Sequence, residues 1–418
     1  MSAKANIEKK LREIGSPKDG DREKSLTRQW DEYLEDFSKD IENYFLDNRQ
    51  DEEEFQTKLD ILKEIEKYLA KNIFDKPIGG IEYEIKAVVP FGSSPTGLGM
   101  TEGDLDMVVC VHPALPKHRE VEIKTRTNQI LATIFKKIQS GKMLGDRETE
   151  DMEHRDGARV PIITGVVDDV ELDISISMTD LVSEQYLATK IIDAYERYDR
   201  RFILLAAYVK KWMKSKKTDE NEDYYRTVFP NSCTNVLLVI FFMKQCGLLP
   251  NVNEKHEDQF DMARQTWAKV NGWEYGSYGV RRLDVANWKE SNKCEVGLGT
   301  LFLLFLDFYA KMGFRHNKIC IGKGKLLEKG EEYEGSHIMI EDVYDKESKA
   351  TPVTQLAMYK KYLQDARRIV RHTDPEEIDE ELMEGSLPDV GSFTNAELMK
   401  LKRQGLHTGP KPKKYSKK

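Results

Sequence analysis

Residues 91–111, FGSSPTGLGMTEGDLDMVVCV, constrain the fold more than any other stretch of the chain. A turn rich in glycine, serine and threonine leads into Asp104 and Asp106, and these two residues open an apolar run typical of a buried β-strand. Side chains alternate between the faces of a strand, so both carboxylates are expected on one face, about 7 Å apart. Like charges at that separation repel each other unless a cation lies between them. The segment therefore predicts a cation-binding strand.

A third carboxylate lies on a later predicted strand. The runs VPIITGVV and VELDISI, separated by the turn DD, predict a β-hairpin whose second strand carries Asp173. Leu172 and Ile174 flank it and are expected on the opposite face. Two carboxylates on one strand and a third on its neighbour can hold two divalent cations about 3.5–4 Å apart. Cations of the Mg²⁺ type take oxygen ligands and keep substrate phosphates in their shell, which is the chemistry of nucleotidyl transfer.

The turn before the paired aspartates fits the same chemistry. Gly92 lets backbone N–H groups approach a phosphate, and Ser93 adds a hydroxyl. Each motif alone is common in plain turns or on acidic strand surfaces. The ordered combination of Gly-Ser, Asp-x-Asp and a later Glu-Leu-Asp-Ile-Ser is far more specific, so we interpret it as a nucleotide site.

Composition excludes several other classes. A net charge of −8 argues against general binding of nucleic acid, so any RNA contact requires local basic surface or a partner. The five cysteines are scattered without a CxxC pair, which argues against zinc and favours a reducing compartment. The apolar runs are far shorter than the ~20 residues of a membrane span, and the first residues do not resemble a signal peptide. We expect a cytoplasmic protein, or a nuclear one if its basic end acts as an import signal.

The pattern of apolar residues divides the chain into five predicted segments and indicates a two-lobed α/β protein. A catalytic domain with a mixed sheet is followed by a larger, mostly helical domain in which KICIGKGKLLEKG is the exception, a short hairpin or loop. The predicted segments are a flexible 1–25, a helix at 26–49 docking on the helical domain, the catalytic domain at 50–180, the helical domain at 181–372 and a disordered tail at 373–418.

The predicted tail changes its charge along its length. Residues 374–390 contain acids without lysine or arginine, and residues 398–418 contain lysine and arginine without an acid. A solvated, disordered tail is the simplest interpretation. The alternative is a tail that binds RNA or directs nuclear import.

At these motifs the sequence resembles the DNA polymerase β-like nucleotidyltransferases, and more narrowly the noncanonical poly(A) polymerases and terminal uridylyltransferases. The resemblance covers about residues 30–370. FGSSPTGLGMTEGDLDMVV and LDISI resemble the aspartate motifs of the family, and GLGTLFLLFLDFYA and IMIEDVYD resemble its nucleotide-recognition region. The resemblance implies template-independent addition of nucleotides from NTPs to RNA 3′ ends, with two Mg²⁺ or Mn²⁺ ions as cofactors.

The resemblance also implies roles for individual residues. Asp104, Asp106 and Asp173 would be the catalytic metal ligands, and Gly92 and Ser93 would hold the triphosphate. The motif YVKKWMKSKK resembles a helix whose two lysines reach the triphosphate, and lysines four residues apart share a helix face. The remaining residues implied in nucleotide binding are Lys210, Lys214, Ser232, Cys233, Asp342, Tyr344 and Asp345.

The base pocket departs from the family pattern. Cys233 stands where a tyrosine usually stacks on the base, and cysteine offers no aromatic platform. Ser348 stands where uridine-selecting members carry a histidine. Poly(A) addition is therefore the leading single choice, and uridine-containing or mixed uridine and guanine tails in RNA silencing or turnover are the alternative. The other departures are Ser177 and Met178 in place of asparagines, Val343 in place of proline and Tyr344 in place of phenylalanine.

Two rival functions remain open at this point. The first is nucleotide transfer to a small molecule or to a 2′-hydroxyl, and the motif IEDVYD argues against it. The second is a non-catalytic scaffold that binds RNA or a polymerase, and the intact set of three aspartates argues against it. No RRM, KH, zinc-knuckle or dsRBD pattern is present in the sequence. We therefore expect a partner protein to deliver the RNA, and neither a membrane nor zinc to take part.

Overall fold

The computed structural model of the 418-residue chain describes part of it in detail. Two compact units are distinguished, one containing Asp47–Tyr198 and the other containing the described residues before Asp47 and after Tyr198. No helix in the described part is long and apolar enough to cross a membrane. The described residues are 23–116, 118–139, 147–158, 160–178, 184–217, 225, 228–250, 295–329, 338–341, 348–351, 356–373 and 377–384.

Helices and strands alternate in the first half of the chain, and helices dominate the second half. In chain order the elements are α1 (Glu23–Asn48), α2 (Glu52–Asn72), β1 (Glu84–Phe91), a 3₁₀ turn (Ser94–Thr96), β2 (Leu105–His112), α3 (Glu120–Gln139), β3 (Thr149–Arg155), β4 (Ile162–Val167), β5 (Val170–Ser177), α4 (Glu184–Tyr198), α5 (Arg201–Lys214), α6 (Ser232–Gln245), α7 (Leu298–Lys311), β6 (Asn317–Cys320), β7 (Lys325–Glu328), β8 (Ile338–Glu341), β9 (Ser348–Thr351), α8 (Leu356–His372) and α9 (Ile378–Glu384).

A five-stranded sheet in the order β1-β2-β5-β4-β3 forms the centre of the unit that contains Asp47–Tyr198. Strands β2 and β5 run parallel, and the other three neighbouring pairs are antiparallel. The prediction of an α/β fold with a mixed sheet is therefore confirmed.

Side-chain alternation along the central strands decides which face of this sheet becomes core. Leu105 of β2 and Leu172 of β5 are almost completely buried in a cluster with residues of α2 and α3. Asp106 and Asp173 follow them directly, so their side chains project from the opposite face. The helical members of this cluster are Ile61, Leu62, Ile65, Leu69, Ile130, Leu131, Ile134 and Ile138.

A β-bulge makes β1 change faces. The alternation in EYEIKAVVP predicts that Tyr83, Ile85, Ala87 and Val89 lie on one face, but the pairing of β1 with β2 shifts between Ile85 and Ala87. Tyr83 and Ile85 consequently pack with the α2 and α3 core, whereas Ala87 and Val89 join a small cluster with Val108. The extra residue of the bulge rotates the second half of the strand.

The predicted hairpin of β4 and β5 is confirmed. Asp168 and Asp169 form its two-residue turn with φ of 46° and 63°, the left-handed geometry that favours aspartate and asparagine in tight hairpins. A further strand, β3 with the sequence TEDMEHR, pairs with β4 at the edge of the sheet and was not predicted. Its charged side chains are typical of an exposed edge strand, and they leave no apolar alternation by which the strand could be predicted.

Helix α4 corrects the predicted boundary between the domains. The sequence places the boundary at residue 180, but α4 belongs to the compact unit of the mixed sheet. It packs against β1 and against the 3₁₀ turn, where the backbone N–H of Gly92 donates to Thr189 Oγ1 at 3.2 Å. The unit of the mixed sheet therefore extends to Tyr198.

The second unit is mostly helical and includes α1, α5, α6, α7 and α8. Helix α1 begins at Glu23, inside the segment predicted to be flexible, and packs through Phe37 edge-to-face on Tyr208 and Phe302. Ser38 Oγ accepts a hydrogen bond of 2.9 Å from the backbone N–H of Gly299. A small sheet in the order β7-β6-β8-β9 contains the predicted hairpin and two short strands that the sequence did not indicate.

Helix α9 corrects the prediction that residues 373–418 form a disordered tail. Ile378 and Leu382 are buried, and Asp379 accepts a 2.8 Å hydrogen bond from the hydroxyl of Tyr33. The buried ammonium of Lys216 donates to the carbonyls of Leu382 and Met383 at the end of the helix. The acidic segment is thus part of the folded unit, and residues 385–418 lie outside the described part of the chain.

Candidate active site

Strand register brings two of the three predicted carboxylates side by side. Asp106 of β2 pairs directly with Asp173 of the parallel strand β5, so both side chains leave the same face of the sheet. Thr164 of β4 pairs with Asp173 from the other side, and Glu153 of β3 pairs with Thr164. A row of polar side chains therefore crosses four neighbouring strands on the face that α2 and α3 leave open.

The electrostatic surroundings of Asp173 include a second carboxylate. Partial burial is the main cause that raises the pKa of Asp173, and the negative charge of Asp104 raises it further. A hydrogen bond from Thr164 and the positive charge of Arg155 oppose the increase. Asp104 itself is exposed and lies immediately before β2. Its charge nevertheless acts on Asp173 across the sheet, so a cation at this edge would relieve repulsion within the set.

Gly92 is required by the site for two reasons. Its φ is +78°, which side chains other than glycine rarely tolerate. A Cβ atom added to Gly92 would lie 2.2 Å from Oδ2 of Asp106, so the carboxylate rests directly against the turn. The turn that leads to the paired aspartates is thereby packed against one of them.

Hydrogen bonds fix the rest of the turn. Thr96 Oγ1 donates to the carbonyls of Gly92 and Ser93. The N–H of Gly92 donates to Thr189, so this particular amide is engaged within the protein. Ser93 is partly exposed and its side chain makes no capping hydrogen bond to the 3₁₀ turn, which leaves Ser93 the better placed of the two predicted phosphate contacts.

The three aspartates supply the oxygen donors that Mg²⁺ and Mn²⁺ prefer. Within the described residues, no group of three or more histidine, cysteine, aspartate or glutamate side chains is already arranged to hold a metal ion. Mg²⁺ is usually bound through one or two carboxylates, with water and substrate phosphates completing its shell. The paired Asp106 and Asp173, with Asp104 nearby, fit that mode of binding in their donor chemistry.

The predicted phosphate lysines lie on α5, in the other unit. Lys210 is partly exposed and Lys214 is exposed one helical turn later, so the two share a face. Trp212 is fully buried in the helical core, and Lys211 instead lies 4.3 Å from the ring centroid of Tyr44. Lys210 and Lys214 therefore lie on one partly exposed face of α5, and Lys217, just beyond the helix, is exposed as well.

The residues predicted near the base are only partly described. Ser232 and Cys233 open helix α6 and are exposed, while the side chain of Asn231 caps the helix by accepting from the N–H of Thr234. Met178 is completely buried in the core of the mixed sheet, so its side chain is not available to a nucleotide. Ser177 ends β5, Ser348 begins β9, and Asp342, Val343, Tyr344 and Asp345 lie outside the described residues.

Sequence reasoning missed Thr164 and Thr189. Thr164 could have been found, because a two-residue turn at Asp168 and Asp169 fixes the hairpin register and places Thr164 opposite Asp173. Thr189 lies on a helix almost a hundred residues after Gly92, and no local pattern predicts that contact.

Comparisons with known proteins match the part of the chain that contains the mixed sheet. Residues 37–197 match the family model of the central palm domain of mitochondrial-like poly(A) RNA polymerase. No curated protein matches the chain.

Several solved structures share the fold. GLD-2 in the GLD-2/RNP-8 complex is 22% identical over 84% of this chain and 99% of that chain, with a TM-score of 0.59. The mtPAP complex with UTP is 17% identical over 83% and 72%, with a TM-score of 0.60. Cid1, an RNA terminal uridylyl transferase, is 19% identical over 84% and 99%, with a TM-score of 0.55. The segment that matches the palm-domain model contains the mixed sheet and its aspartate motifs, and the chain shares the fold of these solved structures.

Proposed function

We propose that the chain extends RNA 3′ ends without a template, one nucleotide at a time, by a two-metal mechanism. The observation that carries the proposal is the register of Asp106 with Asp173, together with the contact of the Asp106 carboxylate with the Gly92 turn. That arrangement joins a pair of cation ligands to a turn suited to phosphate.

The residues of the chain have distinct tasks in this proposal. Asp104, Asp106 and Asp173 would hold the cations beside the turn, and Asp173, or the metal that it helps to hold, would activate the attacking 3′-hydroxyl. Two Mg²⁺ or Mn²⁺ ions, when bound, lower the pKa of that hydroxyl and neutralise charge on the phosphates. Lys210 and Lys214 neutralise the departing pyrophosphate, in keeping with their exposure on one face of α5.

Extension of a labelled RNA tests the proposal. The purified chain is incubated with Mg²⁺ and each NTP on two matched RNAs, one ending in a 3′-hydroxyl and one ending in a 3′-deoxynucleotide. A ladder on the first RNA and none on the second is the expected result. RNA binding without any ladder would instead support the scaffold, and extension of the 3′-deoxy RNA would indicate transfer to another acceptor.

Adenylation is the leading single choice of base, because the position associated with uridine selection carries Ser348. One observation favours a second candidate, the addition of mixed tails that include uridine or guanine. Cys233 is exposed at the start of α6, where the family carries a stacking tyrosine, so this position supplies no aromatic face to the base. Discrimination between the four bases must then come from hydrogen bonds to the base elsewhere in the pocket.

Sequencing the tails made in an equal mixture of four NTPs decides between the candidates. Tails of adenosine alone support adenylation, and tails with a reproducible share of other bases support the mixed product. The variant Cys233→Tyr with Ser348→His is expected to raise activity or the uridine content. A variant that changes neither would show that these positions do not contact the base.

A partner protein is proposed to present the RNA. The chain carries a net charge of −8, which opposes unaided binding to a polyanion. GLD-2, which shares the fold, was solved in complex with RNP-8. RNA affinity of the isolated chain is therefore expected to be weak and strongly dependent on salt.

A further inference from the structure

One cation is buried behind the candidate active site. The side chain of Lys58, on α2, has an exposed fraction of 2%, although most lysines on this helix are partly or fully exposed. Burying an ammonium group is costly unless hydrogen bonds and opposite charges compensate it. The contacts of Lys58 therefore indicate what the buried charge does.

Those contacts lead to the aspartate motif. Lys58 Nζ donates to Oε1 of Gln50 at 2.5 Å and to Oγ of Ser94 at 3.4 Å. Ser94 Oγ in turn donates to the backbone carbonyl of Asp104 at 3.0 Å. Gln50 also binds the backbone of this loop, through Nε2 to the carbonyl of Ser94 and through its N–H to the carbonyl of Gly99.

Opposite charges surround the ammonium group. Glu54 and Asp104 both interact with Lys58 electrostatically, and they oppose the effect of burial on its pKa. Glu54 belongs to the capping box of α2 and also accepts a hydrogen bond from the N–H of Glu102. The loop between Ser94 and Asp104 is thus held at several points by the first turns of α2.

We propose that Lys58 is a positioning residue for nucleotidyl transfer, because its ammonium group, through Gln50 and Ser94, fixes the loop that carries Asp104 in the orientation needed to bind cations. The inference rests on the proposed two-metal function. Lys58 does not touch the substrate, and its effect passes through the main chain of the loop. Groups behind metal ligands commonly matter in this way, with losses of about 10- to 100-fold when they are removed.

The charge of Lys58 and its contacts with the loop have opposite effects on the affinity of the site for cations, so the two roles can be tested separately. Removing a positive charge near Asp104 would by itself strengthen cation binding, because the local potential becomes more negative. Releasing the loop would weaken cation binding, because Asp104 loses its fixed orientation. The sign of the change therefore distinguishes the two roles.

The experiment measures binding of Mn²⁺ alone to the full chain by electron paramagnetic resonance of the free ion. Lys58→Met keeps the length of the side chain and removes the ammonium group. Its affinity for Mn²⁺ is expected to fall about tenfold or more, with a higher KM for NTP and an unchanged KM for RNA. Lys63→Met is the matched control, since Lys63 lies on the same helix but pairs with Asp60 at the surface, and it should behave as wild type.

Ser94→Ala supplies an independent arm if Lys58→Met folds poorly. It removes only the hydroxyl that links Lys58 to Asp104, and it should weaken Mn²⁺ binding in the same direction. The double variant should lose little more than Lys58→Met alone, because both changes break one pathway. Unchanged or tighter Mn²⁺ binding in the single variants would overturn the inference. The wild-type chain is assayed alongside, so that a failure of the proposed function shows as an absence of extension by the wild type itself.

Discussion

At the scale of the residue, the backbone conformation and the close packing of the turn favour glycine at position 92. Gly92 combines a positive φ with the contact of the Asp106 carboxylate. The paired aspartates and the Gly-Ser turn could be recognised from the sequence, because their order and spacing are unusual. Lys58 could not, because a lysine on an amphipathic helix resembles any solvated lysine until a distant loop covers it.

Gly92→Ala is expected to abolish extension while leaving the chain folded. The added methyl group collides with Asp106, and the strained φ costs about 1–2 kcal/mol. Gly80→Ala is the matched control, because Gly80 has a φ of +82° and nothing within 4 Å of an added Cβ. Thermal unfolding should show a loss from the strained φ in both variants, with a further loss from the collision in Gly92→Ala. Extension assays should show loss only for Gly92→Ala. Equal activity of the two variants would contradict the proposed contact.

Asp173→Asn is expected to stabilise the metal-free protein at pH 7 and to abolish extension. Burial and the charge of Asp104 raise the pKa of Asp173 in the folded state, so folding favours its neutral form. Such a group contributes stability at low pH, and that contribution is lost as the pH rises through the folded pKa. The gain from asparagine should thus appear at pH 7 and vanish below the ordinary aspartate pKa of about 3.9.

Denaturant unfolding in EDTA at several pH values measures this effect. The control is Glu171→Gln, since Glu171 is an exposed acid on the same strand and its change should alter stability by no more than about 0.5 kcal/mol. A gain for Asp173→Asn that persists unchanged at low pH would show that ionisation is not its cause.

At the scale of the element, the sequence pattern predicted those helices and hairpins that depend only on residues close together in the chain. The hairpin of β4 and β5 follows from its two-residue turn, and α3 follows from its helical periodicity. The parallel pairing of β2 with β5 joins strands far apart in sequence, so the register of Asp106 with Asp173 could not be predicted. In the acidic segment, Ile378 and Leu382 are spaced by one helical turn, and that spacing was the available signal for α9.

Deleting residues 374–418 is expected to destabilise the helical unit, whereas deleting residues 385–418 is not. The longer deletion removes two buried aliphatic side chains and leaves the ammonium of Lys216 without its two carbonyl acceptors. A buried donor without an acceptor alone costs about 1–3 kcal/mol, and each aliphatic side chain adds about 1.5–3 kcal/mol. Thermal unfolding of the two truncated chains compares them directly. Equal unfolding temperatures would show that α9 does not contribute to stability.

At the scale of the whole molecule, the net charge of −8 argued against a general binder of nucleic acid. The sequence also predicted the two kinds of domain, one with a mixed sheet and one mostly helical, and it shows the acidic net charge and the scattered cysteines directly. The boundary at Tyr198 could not be predicted, because the sequence of α4 resembles those of the helices that follow it. Only its tertiary contacts assign α4 to the unit of the mixed sheet.

Removal of residues 385–418 should weaken RNA binding at low salt without changing the rate at saturating RNA. Residues 398–418 contain lysine and arginine without any acid, and each phosphate contact that is lost makes the salt dependence of binding shallower. Titration of a labelled RNA at several salt concentrations measures the slope. An unchanged slope would exclude the basic end as an RNA contact.

The central claim is that the paired carboxylates on the open face of the mixed sheet carry nucleotidyl transfer. The most direct measurement is extension of a labelled RNA in Mg²⁺ by the variant Asp104→Ala with Asp106→Ala, with Glu171→Ala as the acidic control on the neighbouring strand. We expect no ladder from the double variant and near-normal extension by the control. The unfolding temperatures of both variants should be no lower than that of the wild type. Extension by the folded double variant at the rate of the wild type would contradict it.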